Sequence, residues 1–177
     1  MCLVDNDSTI NPTTVNTANK LTSLSANNDF LLMRTKDAQD LPLPTRATPL
    51  SAGFDLRANV HNDVMIEPGE RKLIPTGIII ALPRGYEAQV RPRSGLALRY
   101  GIGILNSPGT VDADYRGELK VLLINWGAEA FTVSRGERIA QMVICPVAMA
   151  DFTEVCCLSE MPDSQRGEGG YGHTGMG

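Results

Sequence analysis

A chain of 177 residues with 42% apolar composition can bury one full hydrophobic core, and it has no apolar run long enough to span a bilayer. A formal net charge of −4 without any Lys/Arg run excludes the positive field that polymeric DNA or RNA requires, but not a small phosphorylated ligand held by a few arginines and a divalent cation. The four cysteines (Cys2, Cys145, Cys156 and Cys157) have no metal-ligand spacing, and His61 and His173 stand apart from them, which argues against a disulfide framework and a structural zinc site. Reduced thiols fit a soluble, cytoplasmic protein.

In chain order, residues 1–28 are dominated by Asn, Thr, Ser and Asp, with Lys20 their one basic residue, and read as a disordered leader. Residues 29–160 read as a single all-β domain. Short apolar or alternating runs at Phe30–Met33, Gly77–Leu82, Glu87–Val90, Leu119–Asn125 and Met142–Cys145 are separated by turn punctuation at Glu67–Gly69, Leu82–Gly85, Ser107–Gly109 and Ser134–Gly136. That rhythm predicts a distorted β-barrel or jelly roll. One short helix is expected within Pro92–Tyr100, stopped by Gly101. Residues 161–177 are too rich in glycine to repay ordering by packing and read as a flexible C-terminal lid.

Five segments break the strand rhythm with polar residues and glycines. Asp55 sits in a strand-like run, where a carboxylate either faces solvent or has a chemical role. Arg93, Ser94 and Gly95 fall where the short helix begins, a place that suits a phosphate or an ordinary Ser cap with an exposed arginine. Asn106 opens a turn that leads to Asp112, Asp114 and Tyr115. If that stretch were a regular strand, the two carboxylates would share a face and Tyr115 would point the other way, and Arg116 could neutralise the pair. Gln141 interrupts an apolar run, where its amide can reach a phosphate or a buried backbone group. In the tail, Arg166, Gly170, Tyr171, His173 and Thr174 combine charge, backbone N–H groups, hydroxyl and a flat ring, a set suited to closing over a nucleotide.

The order and content of these five segments resemble the trimeric dUTPase family, over residues 30–175. The resemblance implies a jelly-roll-like subunit in a homotrimer with shared active sites, acting on dUTP with Mg²⁺. The implied reaction is hydrolysis to dUMP and pyrophosphate by water attack on the α-phosphorus, which keeps uracil out of DNA and supplies dUMP for thymidylate synthesis. By the same resemblance Asp112 is the expected general base and Tyr115 the platform under the deoxyribose. Asn106 is the expected reader of the uracil edge. Asp55 is expected to hold metal-bound waters. Arg93, Ser94, Gly95 and Gln141 are expected on the phosphates, Arg166 on the γ-phosphate, and Tyr171 over uracil, with Gly170, His173 and Thr174 completing the lid. Tyr171 departs from the usual Phe, and His173 from the Ser of many members. A dCTP deaminase of similar architecture and a non-catalytic nucleotide-sensing trimer are the competing readings.

Overall fold

The computed structural model describes residues 29–169, in two compact units that meet in the sequence between Val147 and Ala148. The first unit is all-β and jelly-roll-like. Its strands are β1 (Leu31–Arg34), β2 (Gly53–Arg57), β3 (Val64–Ile66), β4 (Arg71–Pro75), β5 (Ile78–Ala81), β6 (Tyr86–Arg91), β7 (Ile102–Ile104), β8 (Gly109–Val111), β9 (Lys120–Asn125), β10 (Phe131–Val133) and β11 (Arg138–Pro146). Among the described residues one α-helix, α1 (Ser94–Tyr100), interrupts them.

Every strand pairing is antiparallel. β2, β11, β6 and β8 lie side by side in that order, β4, β9 and β7 form a second sheet, and β1 with β5 and β3 with β10 form two ribbons. Alternation fixes which faces turn inward. On β6, Ala88 and Val90 are buried while Glu87, Gln89 and Arg91 flank them, and Leu56, Ile74, Val121, Leu123 and Ile139 join the same core.

The helix is short because its flanks leave no alternative. Arg93 enters in extended conformation, and Gly101 ends it at φ 69°, donating its N–H back to Ala97 O at 3.1 Å. A side chain at Gly101 would be strained by that φ and would also sit 2.5 Å from Gly127 N. The glycine stop expected from sequence therefore has a conformational and a steric cause.

Asn125, at the end of β9, is fully buried and holds three backbone segments together. Its Nδ2 donates to Ile66 O at 2.9 Å and Glu129 O at 2.8 Å, while its Oδ1 accepts the Gly127 N–H at 2.8 Å. Replacing it with Ala strands two carbonyls and one N–H, at a cost of roughly 1–3 kcal/mol for a buried polar group left unpaired. Asn125→Ala is therefore expected to lower unfolding stability by about 2–4 kcal/mol in urea titration. An unchanged midpoint would show that these groups find other partners.

The second unit, from Ala148, contains a 3-10 turn at Leu158–Glu160, and Arg166 donates from Nε to Gly169 O at 2.7 Å. Among the described residues, no helix is long and apolar enough to cross a membrane.

Candidate active site

Apart from Asn106, the expected site residues of the first unit fall into two groups around one sheet. The first is built on the register of its strands. Asp55 on β2 lies opposite Gln141 on β11, which lies opposite Arg91 on β6. Asp55 is not a solvated strand-face carboxylate: its side chain is 20% exposed and held between two guanidinium groups. Arg93 Nε approaches Asp55 Oδ1 at 3.4 Å, and Arg138 Nη1 donates to Asp55 Oδ2 at 3.1 Å. Arg93 also donates from Nη1 to Arg138 O at 2.9 Å, closing the triangle.

Gln141 donates from Nε2 to Pro92 O at 2.9 Å, tying β11 to the segment that leads into α1. Gly53 makes room for it, because a Cβ there would collide with Gln141 Oε1. Arg93 is the residue before the helix and makes no side-chain cap. Ser94 is the first helical residue, so the ordinary Ser cap is replaced by an exposed hydroxyl beside the N–H groups of the first turn. The N–H groups of Ser94 and Gly95 have no acceptor within the helix. One carboxylate against two arginines leaves a net positive patch, suited to an anion rich in charge.

Arg138 was not among the residues expected from sequence, and its absence has a physical reason. Counted back from Gln141 by strict alternation, Arg138 falls on the opposite face of β11. The register instead shifts between Arg138 and Ala140, and such an irregularity resets the parity. An arginine in the same polar segment as Gln141 was the available signal.

The second group lies past the end of β8. The regular strand stops at Val111, and Asp112 to Tyr115 form a turn closed by Tyr115 N–H donating to Asp112 O at 3.1 Å. The alternation that would set Tyr115 opposite the two carboxylates therefore does not apply. Asp112 and Tyr115 line the same cleft of about 630 Å³, together with Leu73, Val90, Glu118 and Lys120. That volume falls within the range of small-ligand sites. Arg116 does not neutralise the carboxylates. Its Nη1 donates to Ala113 O and Tyr115 O and braces the turn.

The Tyr115 ring is fixed in place. Its hydroxyl donates to Glu118 O at 3.2 Å, and a Cβ at Gly117 would collide with the ring. Glu118 is itself tied down by Gly77 N–H, 2.7 Å from its Oε1. Asn106 is exposed and packs its amide near Gly109, outside the residues that line the cleft.

Asp55, Arg93, Ser94 and Gln141 do not line this cleft either. From β2 to β8 the sheet crosses three strand spacings, about 14 Å at ~4.8 Å each. Within one chain the two groups thus line different surfaces. Arg166 belongs to the second unit, and Gly170, Tyr171, His173 and Thr174 lie outside the described residues.

Among the described residues, no three His, Cys, Asp or Glu side chains converge on a point that could hold a metal ion. Asp55 alone, already facing two arginines, is not the core of a cage, and a lone carboxylate suits only the acceptance of hydrogen bonds from metal-bound waters. That donor set fits Mg²⁺, which keeps several waters and takes most of its protein-side contacts through one or two carboxylates and substrate phosphates.

Comparison with known proteins gives the family. The chain is 56% identical over 145 residues to the deoxyuridine 5'-triphosphate nucleotidohydrolase of Thermoanaerobacter sp. strain X514, covering 82% of this chain and 96% of that protein. It is 55% identical over 147 residues to the protein of the same name from Rhizobium etli, covering 82% and 92%. In three dimensions it is similar to the Staphylococcus bacteriophage 80alpha dUTPase with dUPNHPP, with a TM-score of 0.73 at 24% identity, over 84% of this chain and 99% of that one. A mutant dUTPase from phage phi11 of S. aureus, whose structure describes coordination of a structural Mg(II) ion, shares the fold with a TM-score of 0.64 at 21% identity, over 72% and 97%. The dUTPase family model matches residues 39–175, and with relatives this close over most of their length, the chain belongs to the dUTPase family.

Proposed function

We propose that this protein hydrolyses dUTP to dUMP and pyrophosphate, as a homotrimer in which each active site takes its two half-sites from different copies of the chain. The observation that carries this reading is the split itself. Asp112 and Tyr115 share a nucleoside-sized cleft, while the net positive group of Asp55 on β2, Arg138 and Gln141 on β11, and Arg93 at the entry to α1 does not line it. A triphosphate with its nucleoside in the cleft of one copy needs the positive group of another.

In this reading the uracil and deoxyribose enter the cleft, with Asn106 at the base edge and the braced Tyr115 ring against the sugar. Asp112 Oδ accepts a proton from a water, whose oxygen bonds to the α-phosphorus as the bond to the bridging oxygen breaks and pyrophosphate leaves. Arg93, the Ser94 hydroxyl and N–H, the Gly95 N–H and a Gln141 amide hydrogen hold the phosphate oxygens. Asp55 is set to hold the waters of Mg²⁺, which when bound offsets the charge of the triphosphate. Arg138 keeps the Asp55 carboxylate aimed, and Arg166 with Gly170, Tyr171, His173 and Thr174 closes over the substrate.

The test is pyrophosphate release from dUTP, UTP, dCTP and dTTP in separate reactions, with Mg²⁺ and with a chelator, alongside ammonia release from dCTP. Mg²⁺-dependent release from dUTP alone is expected. Ammonia from dCTP would replace this reading with a deaminase. For Tyr115→Ala, discrimination between dUTP and UTP in kcat/KM is expected to fall by about 10–100-fold, the scale on which a close-packed wall rejects an added hydroxyl. Unchanged discrimination would take the ring out of sugar selection.

A further inference from the structure

Cys156 and Cys157 stand side by side in the second unit, both exposed and both free thiols, and neither has a part in the reaction proposed above. The chain turns tightly around them. The Cys156 N–H donates to Glu160 Oε2 at 3.4 Å, the Cys157 thiol donates to Glu160 Oε1 at 3.3 Å, and the same sulfur lies 3.0 Å from Ser159 Oγ. A reduced vicinal pair is thus presented to solvent with a proton acceptor beside one sulfur.

Covalent geometry limits what such a pair can bond. Adjacent residues across a trans peptide keep their Cα atoms about 3.8 Å apart. An ordinary disulfide needs at least about 4.4 Å, so direct closure between these sulfurs is strained and easily reduced. A single thiophilic atom bonded to both sulfurs lengthens the bridge and relieves that constraint. No third His, Cys, Asp or Glu among the described residues completes a metal cage here, so the bridging centre must bring its remaining substituent with it. Soft centres prefer thiolate. A trivalent arsenical meets both conditions.

We infer that Cys156 and Cys157 form a vicinal dithiol site that captures trivalent arsenicals. With an arsonous acid, R–As(OH)₂, two As–S bonds form as two As–O bonds break. The two thiol protons leave with the two hydroxides as water, and arsenic stays trivalent, so no oxidant or reductant is required. Glu160 already accepts a hydrogen bond from the Cys157 thiol and is placed to carry that proton to the leaving hydroxide.

The test uses the full-length reduced protein, phenylarsine oxide as the probe and intact mass as the readout, so it stands or falls independently of dUTP hydrolysis. One phenylarsenic adduct per chain is expected, which survives excess glutathione and is released by dimercaptopropanol. Cys156→Ser and Cys157→Ser, both conservative changes at exposed positions, are each expected to lose the glutathione-resistant adduct, and Cys145→Ser to keep it. A resistant adduct in either of the first two variants, its loss in Cys145→Ser, or no resistant adduct on the parent protein would overturn the site.

Discussion

Asp112→Asn is expected to lower kcat for dUTP by about 10³-fold, within the roughly 10²–10⁴-fold that a positioned general base contributes, while substrate binding changes little. The substitution keeps the shape of the side chain, and Asp112's part in the fold is carried by its backbone carbonyl, which accepts the Tyr115 N–H at 3.1 Å. The turn, the Tyr115 ring and the cleft wall should therefore stay in place. What is lost is the ability to take a proton from water, since the amide is not a base at neutral pH. Binding of a non-hydrolysable dUTP analogue, measured by calorimetry beside steady-state kinetics, separates the two effects. A large fall in affinity with kcat preserved would assign Asp112 to holding the nucleotide, and full turnover would remove it from the chemistry.

The position of Asp112 illustrates which parts of the candidate site could be read from sequence. Strands such as β6 and β9 were legible because alternating burial in the first and a continuous apolar run in the second leave a signal in the sequence. The helix was legible because a proline precedes it and Gly101 stops it. By contrast β3, β7, β8 and β10 are three residues each, too short for a period to show, and it is the end of β8 that places Asp112 and Tyr115. Their shared cleft depends on the chain leaving the strand at Val111, a choice set by tertiary pairing of β8 with β6. Arg138 was hidden for a similar reason, since one register shift moves every residue before it to the other face of β11. The pairing of Asp55 with two arginines joins residues 38 and 83 positions apart (93 − 55 and 138 − 55), and no local pattern announces it. Residue types at the site were thus readable one by one, and their partners were not.

Ending the chain after Gln165 is expected to leave the first unit folded and to lower kcat/KM for dUTP by about 10²–10³-fold, the effect of removing one charged or hydrogen-bonding group that acts mainly on the transition state. The fold should survive because the buried core cluster among the described residues is drawn from Leu56 to Met142, with nothing from beyond Gln165. Activity should not, because the deleted residues carry Arg166 and the glycine-rich run with Tyr171, the groups assigned to covering the triphosphate and the base. Thermal unfolding, and a solution mass corresponding to the same number of copies as the full chain forms, would establish that the truncated protein is intact. How the loss divides between kcat and KM then identifies what the tail contributes. A fall mainly in kcat means the tail acts as the pyrophosphate bond breaks, by excluding water and adding charge. A rise mainly in KM means it only holds bound substrate. Arg166→Lys in the full chain sharpens the distinction: a lysine keeps the charge but loses the planar fork that grips two phosphate oxygens at once. If that variant falls most of the way to the truncated protein, fork geometry at Arg166 carries the effect, and if it stays close to the parent, charge alone suffices. Parental activity in the truncated chain would mean the half-sites on the barrel complete the reaction without a lid.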